Sequence, residues 1–473
     1  MKRISIIISL LIFLTACSGN NHPELDGRDD ISSEGDYKII KADEISDEFQ
    51  LIDTRNPEFY IGWKNHDGIG GHISGAVDFP HKWFDYEKNK KYIDIELQRR
   101  YIDKNSKTIL YGDESLDREI ADKYKSAGFK DLYILDGGIN DYASSGGDLD
   151  FLKGYSRYVS DEWLQNTIDN KAVEYPANDD YKIVEIVLKE EDYQKGHIPG
   201  AIMIHKDDIN HLPGPRDLES YDNIPLKDQV DIWNLPDDMT IKKVLEESGI
   251  KEDTTVILYG SYEATTAANR AALVMDYAGV EDIRLLNGGK KLWELNGRNL
   301  DTNEEKPKKV IYGKEIPANP GIIVDYEQEL NLIEDPNAII ASVRSWDEYL
   351  CKKSGYTYIA ESGDIKNSRF AYAGSDPYAM EDYRNIDNTM FNYKIIKDRW
   401  EKWGINADKF ISFHCGTGWR ASETYYIAEA MGFEKIGLYD GGWFQWTKYP
   451  GSPVKDKGLP EDAPEDSPEE FFY

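Results

Sequence analysis

The sequence predicts an α/β protein of three tandem domains, each a mostly parallel sheet flanked by helices. One pattern recurs three times along the chain, and 473 residues exceed one ordinary core but suit three domains of about 140 residues. Each copy runs from an apolar strand through a loop and a helix stopped by glycine, into a second strand ending in Asp or Asn and then Gly-Gly. The first copy reads Thr108-Ile109-Leu110-Tyr111, then Ala127-Gly128-Phe129, then Asp136-Gly137-Gly138. The second reads Val256-Ile257-Leu258-Tyr259, Ala278-Gly279-Val280 and Asn287-Gly288-Gly289. The third reads Ile411-Ser412-Phe413-His414, Met431-Gly432-Phe433 and Asp440-Gly441-Gly442. From the helix-ending glycine to the Asp or Asn the offset is eight residues each time.

Each element has a physical reason. A strand buried on both faces of a parallel sheet is short and continuously apolar. The loop feeds a helix N-terminus, and glycine takes the left-handed conformation that closes the helix before the chain returns to the sheet. A second pattern precedes each unit. Leu51-Ile52-Asp53-Thr54-Arg55 and Gly71-His72-Ile73-Ser74-Gly75-Ala76 occur in the first copy, and Gly196-His197-Ile198-Pro199-Gly200-Ala201 in the second. Ala341-Ser342-Val343-Arg344-Ser345 and a weaker Gly363-Asp364-Ile365 occur in the third. The expected boundaries are 36–150, 151–305 and 306–455, followed by an acidic tail at 456–473.

The N-terminus reads as a targeting segment. Met1-Lys2-Arg3 is followed by an apolar run from Ile4 to Leu14, short for a permanent span, and then Leu14-Thr15-Ala16-Cys17. This resembles a bacterial lipobox. That resemblance implies a signal at 1–16, lipidation of Cys17, a tether at 17–35 and an extracytoplasmic protein anchored to a bacterial membrane by lipid alone. A formal net charge of -32 argues against nucleic-acid binding, which needs positive surface to neutralise phosphates. A small anionic substrate then requires a local cationic pocket. Beyond Cys17 only Cys351 and Cys415 remain, too few for a disulfide framework, so packing must supply stability.

The Asp-x-Arg strand end, the Gly-His-Ile-x-Gly-Ala turn, the strand-loop-helix and the Asp-Gly-Gly-x-x-x-Trp ending together resemble rhodanese domains. In the third copy, Ala373-Gly374-Ser375-Asp376, Met380-Glu381-Asp382, Cys415-Gly416-Thr417-Gly418-Trp419-Arg420 and Asp440-Gly441-Gly442-Trp443 resemble the periplasmic triple-rhodanese thiosulfate sulfurtransferases of bacteria. The resemblance implies three rhodanese-like domains, the third catalytic. It also implies a thiosulfate donor and a thiol or cyanide acceptor, with no metal or organic cofactor.

The residues of the Cys415 loop suit that chemistry. Sulfur transfer needs a thiolate that attacks a donor's outer sulfur and carries it as a persulfide. A helix N-terminus, inward-pointing amides and a nearby guanidinium lower a thiol's pKa. Gly416 and Gly418 let the backbone curl around a ligand, Thr417 lies between them, Trp419 walls the pocket or simply packs, and Arg420 offers a planar donor for an oxyanion. Four residues separate Cys415 from Arg420, one fewer than in cysteine phosphatases, and Ala421 stands at the longer spacing. Lys366 and Arg369 follow the Gly-Asp-Ile turn and extend the anion pocket or remain surface charge. Arg344 reads as an ion-pair partner, and Asp364 replaces the family's usual His. Cys351 is a bystander thiol or resolves the persulfide.

The other loops lack a nucleophile. Gly112 to Asp117 places acidic groups where an anion would sit, and Ser261 has no neighbouring His to activate it. His72 and His197 read as structural hydrogen-bonding groups. Two rival functions remain at this stage: a 3-mercaptopyruvate-type sulfurtransferase, and a persulfide carrier or protein-binding lipoprotein with little turnover.

Overall fold

The computed structural model describes residues 37–213, 224–225, 229–261 and 265–465. The expected signal, Cys17 and the tether lie outside them. Three five-stranded sheets follow one another along the chain. Repeat 1 contains β1 (Lys38–Ile40), β2 (Gln50–Asp53), β3 (Val77–Asp78), β4 (Lys107–Tyr111) and β5 (Asp131–Leu135), in the spatial order β1-β5-β4-β2-β3. Repeat 2 contains β6 (Tyr158–Val159), β7 (Tyr181–Val187), β8 (Ala201–His205), β9 (Thr255–Gly260) and β10 (Asp282–Leu286), in the order β6-β10-β9-β7-β8. Repeat 3 contains β11 (Ile323–Val324), β12 (Ala338–Ser342), β13 (Arg369–Phe370), β14 (Phe410–His414) and β15 (Ile436–Tyr439), ordered β11-β15-β14-β12-β13. The three orders are the same, and every pairing within these sheets is parallel.

The crossover helices are α1 (Arg118–Ala127), α2 (Thr265–Ala278) and α3 (Trp419–Ala430). Gly128, Gly279 and Gly432, just beyond their ends, have φ of 108°, 91° and 88°. That is the left-handed cap expected of glycine in all three repeats. Helix α3 lacks a polar stripe because nearly every residue from Arg420 to Ala430 is buried, its sheet on one side and α2 on another. One apolar core therefore runs through repeats 2 and 3 and reaches Tyr60 and Trp63 of repeat 1.

The segment between β13 and β14 lies at the junction of the repeats. Asn392 donates to the Tyr60 hydroxyl at 2.9 Å and to Asp78 at 2.8 Å, Trp83 donates to Asp387 at 2.6 Å, and Arg100 reaches Asn385. Met390 N donates to Asn287 of repeat 2 at 2.7 Å. This segment thus fastens repeat 3 to both predecessors. Among the described residues no helix is long and apolar enough to cross a membrane.

Candidate active site

Cys415 follows β14, the central strand of the third sheet, at the carboxyl end where ligands of parallel α/β sheets bind. The chain then turns through Gly416, Thr417 and Gly418 into α3. Three glycine contacts explain why the loop needs those residues. Gly418 has φ 80°, and a Cβ there would lie 2.9 Å from the Asp440 carboxylate. A Cβ on Gly416 would overlap the Tyr356 ring, which lies against the loop. Gly442 has φ 52°, and its Cβ would stand 2.6 Å from the Cys415 carbonyl. The Asp-Gly-Gly corner is therefore more than a turn. It brings the start of the next helix onto the loop, where Trp443 N donates to Cys415 O at 2.8 Å and Phe444 N to Gly416 O at 2.9 Å.

A buried charge network lies beside the loop. Arg420 grips Glu348 with two bonds of 3.0 and 3.1 Å and donates to the Tyr356 hydroxyl at 2.9 Å. Glu348 also takes Arg344 at 3.1 Å and caps its own short helix through Ser345. Burial opposes ionisation of Glu348, but the Arg420 and Arg344 guanidiniums overcome it and hold its carboxyl down at about 2. Arg344 bonds the Gly363 carbonyl, as Arg55 bonds that of Gly71 in repeat 1. Asp364, in the place of His72 and His197, accepts from Ser342 at 2.7 Å and faces His414 at 3.4 Å. His414 holds the position of Tyr111 and Tyr259, so repeat 3 pairs an acid with a ring where repeats 1 and 2 place two rings. Burial pushes the His414 pKa down to about 4.

Two expectations change at this site. An open thiol is expected from sequence, whereas the Cys415 side chain is 0% exposed. The cover is aromatic: Tyr356 pairs with Tyr358 at 5.1 Å and with Tyr378 at 5.5 Å, and Tyr358 meets Trp233 of repeat 2 at 5.8 Å. Tyr378 is 70% exposed and forms the outer face of that cover. Second, Arg420 is expected as a free anion donor, and it is the bidentate partner of Glu348. A guanidinium this deep requires a counter-charge.

The remaining residues separate. Thr417 lies beside the Tyr358 hydroxyl, and Trp419 donates to Asn210 of repeat 2 at 3.0 Å. Lys366 and Arg369 turn to other partners: Lys366 pairs with Glu334 at 2.8 Å and Arg369 with Asp462 at 2.7 Å, both at the surface. Their neighbouring carboxylates satisfy them away from the loop. Cys351 is a buried free thiol whose pKa is raised by burial and by Asp364. His72 and His197 stack on Tyr60 and Tyr193 and bond those residues' carbonyls at 2.8 and 2.9 Å. In repeat 1, Asp113 accepts from Arg55 and Asn65, and Leu116 folds over Gly112, so that loop is filled by its own side chains.

Sequence reasoning missed Glu348, Tyr356, Tyr358 and Trp233. Ser345-x-x-Glu348 is legible as a capping box, but the carboxylate's second role, with a partner 72 residues away, is not.

Three parallel sheets, with a cysteine in the last strand-to-helix loop, belong to a chain of the rhodanese family, and its relatives make it a sulfurtransferase-type enzyme. The family model "Rhodanese-like domain" matches residues 38–145, 160–296 and 326–449. Among relatives, the thiosulfate sulfurtransferase YnjE of Escherichia coli is 33% identical over 462 residues, covering 96% of this chain and 98% of that one. The sulfur carrier protein TtuD of Thermus thermophilus is 27% identical over 301 residues, covering 63% of this chain and 95% of that one. The anaerobic ergothioneine biosynthesis enzyme of Chlorobium limicola, solved with its natural substrate trimethyl histidine, superimposes with a TM-score of 0.80 at 31% identity. The match covers 90% of this chain and 100% of that one. A related structure of EanB carries a persulfide on a cysteine.

Proposed function

We propose that Cys415 carries sulfane sulfur as a persulfide, with thiosulfate as the donor and a thiol or cyanide as the acceptor. The observation that carries this reading is the Cys415 loop itself, a strand-end cysteine whose glycine-rich backbone opens onto the N-terminus of α3. The Cys415 thiolate attacks the outer sulfur of thiosulfate. A Cys415 S–S bond forms, the donor's S–S bond breaks, and sulfite leaves with its electron pair. An acceptor thiolate or cyanide then attacks the terminal sulfur, yielding an acceptor persulfide or thiocyanate and returning the Cys415 thiolate. Because Tyr356 covers the thiol, donor entry requires that ring to swing away from Gly416. Loop amides and α3 stabilise the incoming anion, while Arg420, anchored by Glu348, adds positive potential from the side. Sulfite release from thiosulfate, abolished in Cys415→Ala, tests the reading. Faster turnover with 3-mercaptopyruvate would instead favour a carboxylate-bearing donor. Persulfide formation without turnover would favour a carrier.

One observation supports a second acceptor. EanB structures include substitutions of a tyrosine and a threonine that keep the same sequence offsets from its persulfide cysteine as Tyr356 and Thr417 keep from Cys415. The rings of Tyr356, Tyr358 and Trp233 suit a quaternary ammonium through cation–π attraction. Trimethyl histidine as an acceptor would then give a thiolated imidazole, detected by mass spectrometry. No such product beside rapid thiocyanate formation would exclude it. We also propose that Cys17 is lipidated and holds the protein outside the cytoplasm. A mature N-terminal peptide carrying acyl chains on Cys17 is expected, and an unmodified Cys17 would refute this.

A further inference from the structure

Repeat 2 contains no cysteine, yet it covers much of the Cys415 loop. Arg270 of α2 is fully buried, pairs with Asp440 across the repeat boundary, and donates to the Trp233 carbonyl at 2.9 Å. Its Nη1 would lie 3.1 Å from a Cβ on Gly418, so the guanidinium packs directly against the loop's last residue. The other Asp440 oxygen accepts from Leu235 N at 2.6 Å. Asp440 is thus held from repeat 2 by a side chain and by a backbone amide, just before the Gly441-Gly442 corner that supports Cys415 and Gly416.

The neighbouring backbone is shaped for the same contact. Trp233 has φ 73°, a left-handed conformation costly for a large side chain and concentrated at functional sites. Ile232 is buried in one cluster with Tyr356, Trp443 and Phe444, while Asp231 accepts from Gln445 at 3.2 Å. Together these contacts set Trp233 beside Tyr358, which pairs with the Tyr356 ring over the Cys415 loop.

We infer that the catalytic unit is repeats 2 and 3 together, with Arg270 as a positioning residue for the Cys415 loop and Trp233 as the wall that selects the acceptor. This rests on the persulfide reading above. Arg270 acts through Asp440 and Gly418: it fixes the carboxylate that seats the corner, and hence the loop amides that receive the donor. Trp233 acts on the second half-reaction, because its ring lies 5.8 Å from Tyr358, the neighbour of the Tyr356 cover.

The test uses the full chain and four variants, Arg270→Met, Arg270→Lys, Trp233→Ala and Cys415→Ala, with thiosulfate as donor and cyanide or dithiothreitol as acceptor. In Arg270→Met the first-turnover sulfite burst should slow at least tenfold, and Arg270→Lys should recover a large part of it. A purely structural role would not produce rescue at an unchanged melting temperature. Trp233→Ala should change the ratio of KM values for the two acceptors at least fivefold. This variant removes no buried charge, so it remains informative if Arg270→Met fails to fold. Wild-type burst rates in a folded Arg270→Met, or an unaltered acceptor ratio in Trp233→Ala, would overturn the inference. Sulfite release surviving in Cys415→Ala would instead refute the underlying persulfide reading.

Discussion

Replacing Glu348 by Gln preserves shape and one acceptor oxygen but removes the charge that binds Arg420 and Arg344. The carboxyl is held at about 2 against an ordinary 4.5. A displacement of this size corresponds to about 3 kcal/mol of stabilisation at neutral pH. Breaking one side of a buried pair independently suggests about 3–5 kcal/mol. The sign follows from the depressed pKa: the contribution is complete above the unfolded value and is lost as pH falls from 4.5 towards 2. Three repeats need not unfold together, so the assay should report on repeat 3 alone. Cys351 and Cys415 both lie there, and both are buried. Peptide-resolved alkylation of these two thiols across a urea gradient therefore measures opening of that repeat. At pH 7 the Glu348→Gln midpoint should fall by an amount equivalent to about 3 kcal/mol, and the gap should narrow markedly by pH 3. A difference below about 0.5 kcal/mol at pH 7, or one that does not change with pH, would refute the reasoning.

Other substitutions test separate parts of the account. Glu329 is buried with only Ser412 as partner, and burial pushes its pKa up to about 8. The native state therefore holds a proton that the unfolded chain releases above pH 4.5, and stability declines as pH rises from 4.5 to 8. Glu329→Gln should flatten that decline, so that variant and wild type melt together at pH 4.5 but the variant melts higher at pH 8. Tyr356→Ala should expose Cys415, raising its native-state alkylation rate at least tenfold while Cys351 stays protected; equal protection of both thiols would show that Tyr356 is not the cover. Gly442→Ala forces a side chain into a left-handed backbone and against the Cys415 carbonyl, and should cost more than about 2 kcal/mol in the same urea assay.

The scaffold was legible because its causes are local. The helix-stopping glycines need only a left-handed residue, and β4, β9 and β14 need only an apolar run, so three copies could be aligned by eye. The cysteine loop was legible for the same reason. What was not legible comes from distant chain segments. Glu348 and Arg420 lie 72 residues apart, and nothing local in either residue reveals the partner. Arg270 and Trp233 belong to another repeat, where Arg270 reads as one more helix residue. Lys366 and Arg369 follow the Gly-Asp-Ile turn, which suggested a role at the anion pocket, but the segment after them carries Asn385, Asp387 and Asn392, which bond repeat 1. Burial of Cys415 depends on Tyr356, whose loop carries no periodicity to indicate which way the ring points.

The central claim is that Cys415, closed beneath Tyr356 at rest, accepts sulfur. Mass spectrometry of the protein after incubation with thiosulfate tests it most directly. The account predicts one added sulfur atom on the peptide containing Cys415 and none on that containing Cys351. An unmodified Cys415 beside a sulfur-bearing Cys351 would contradict it.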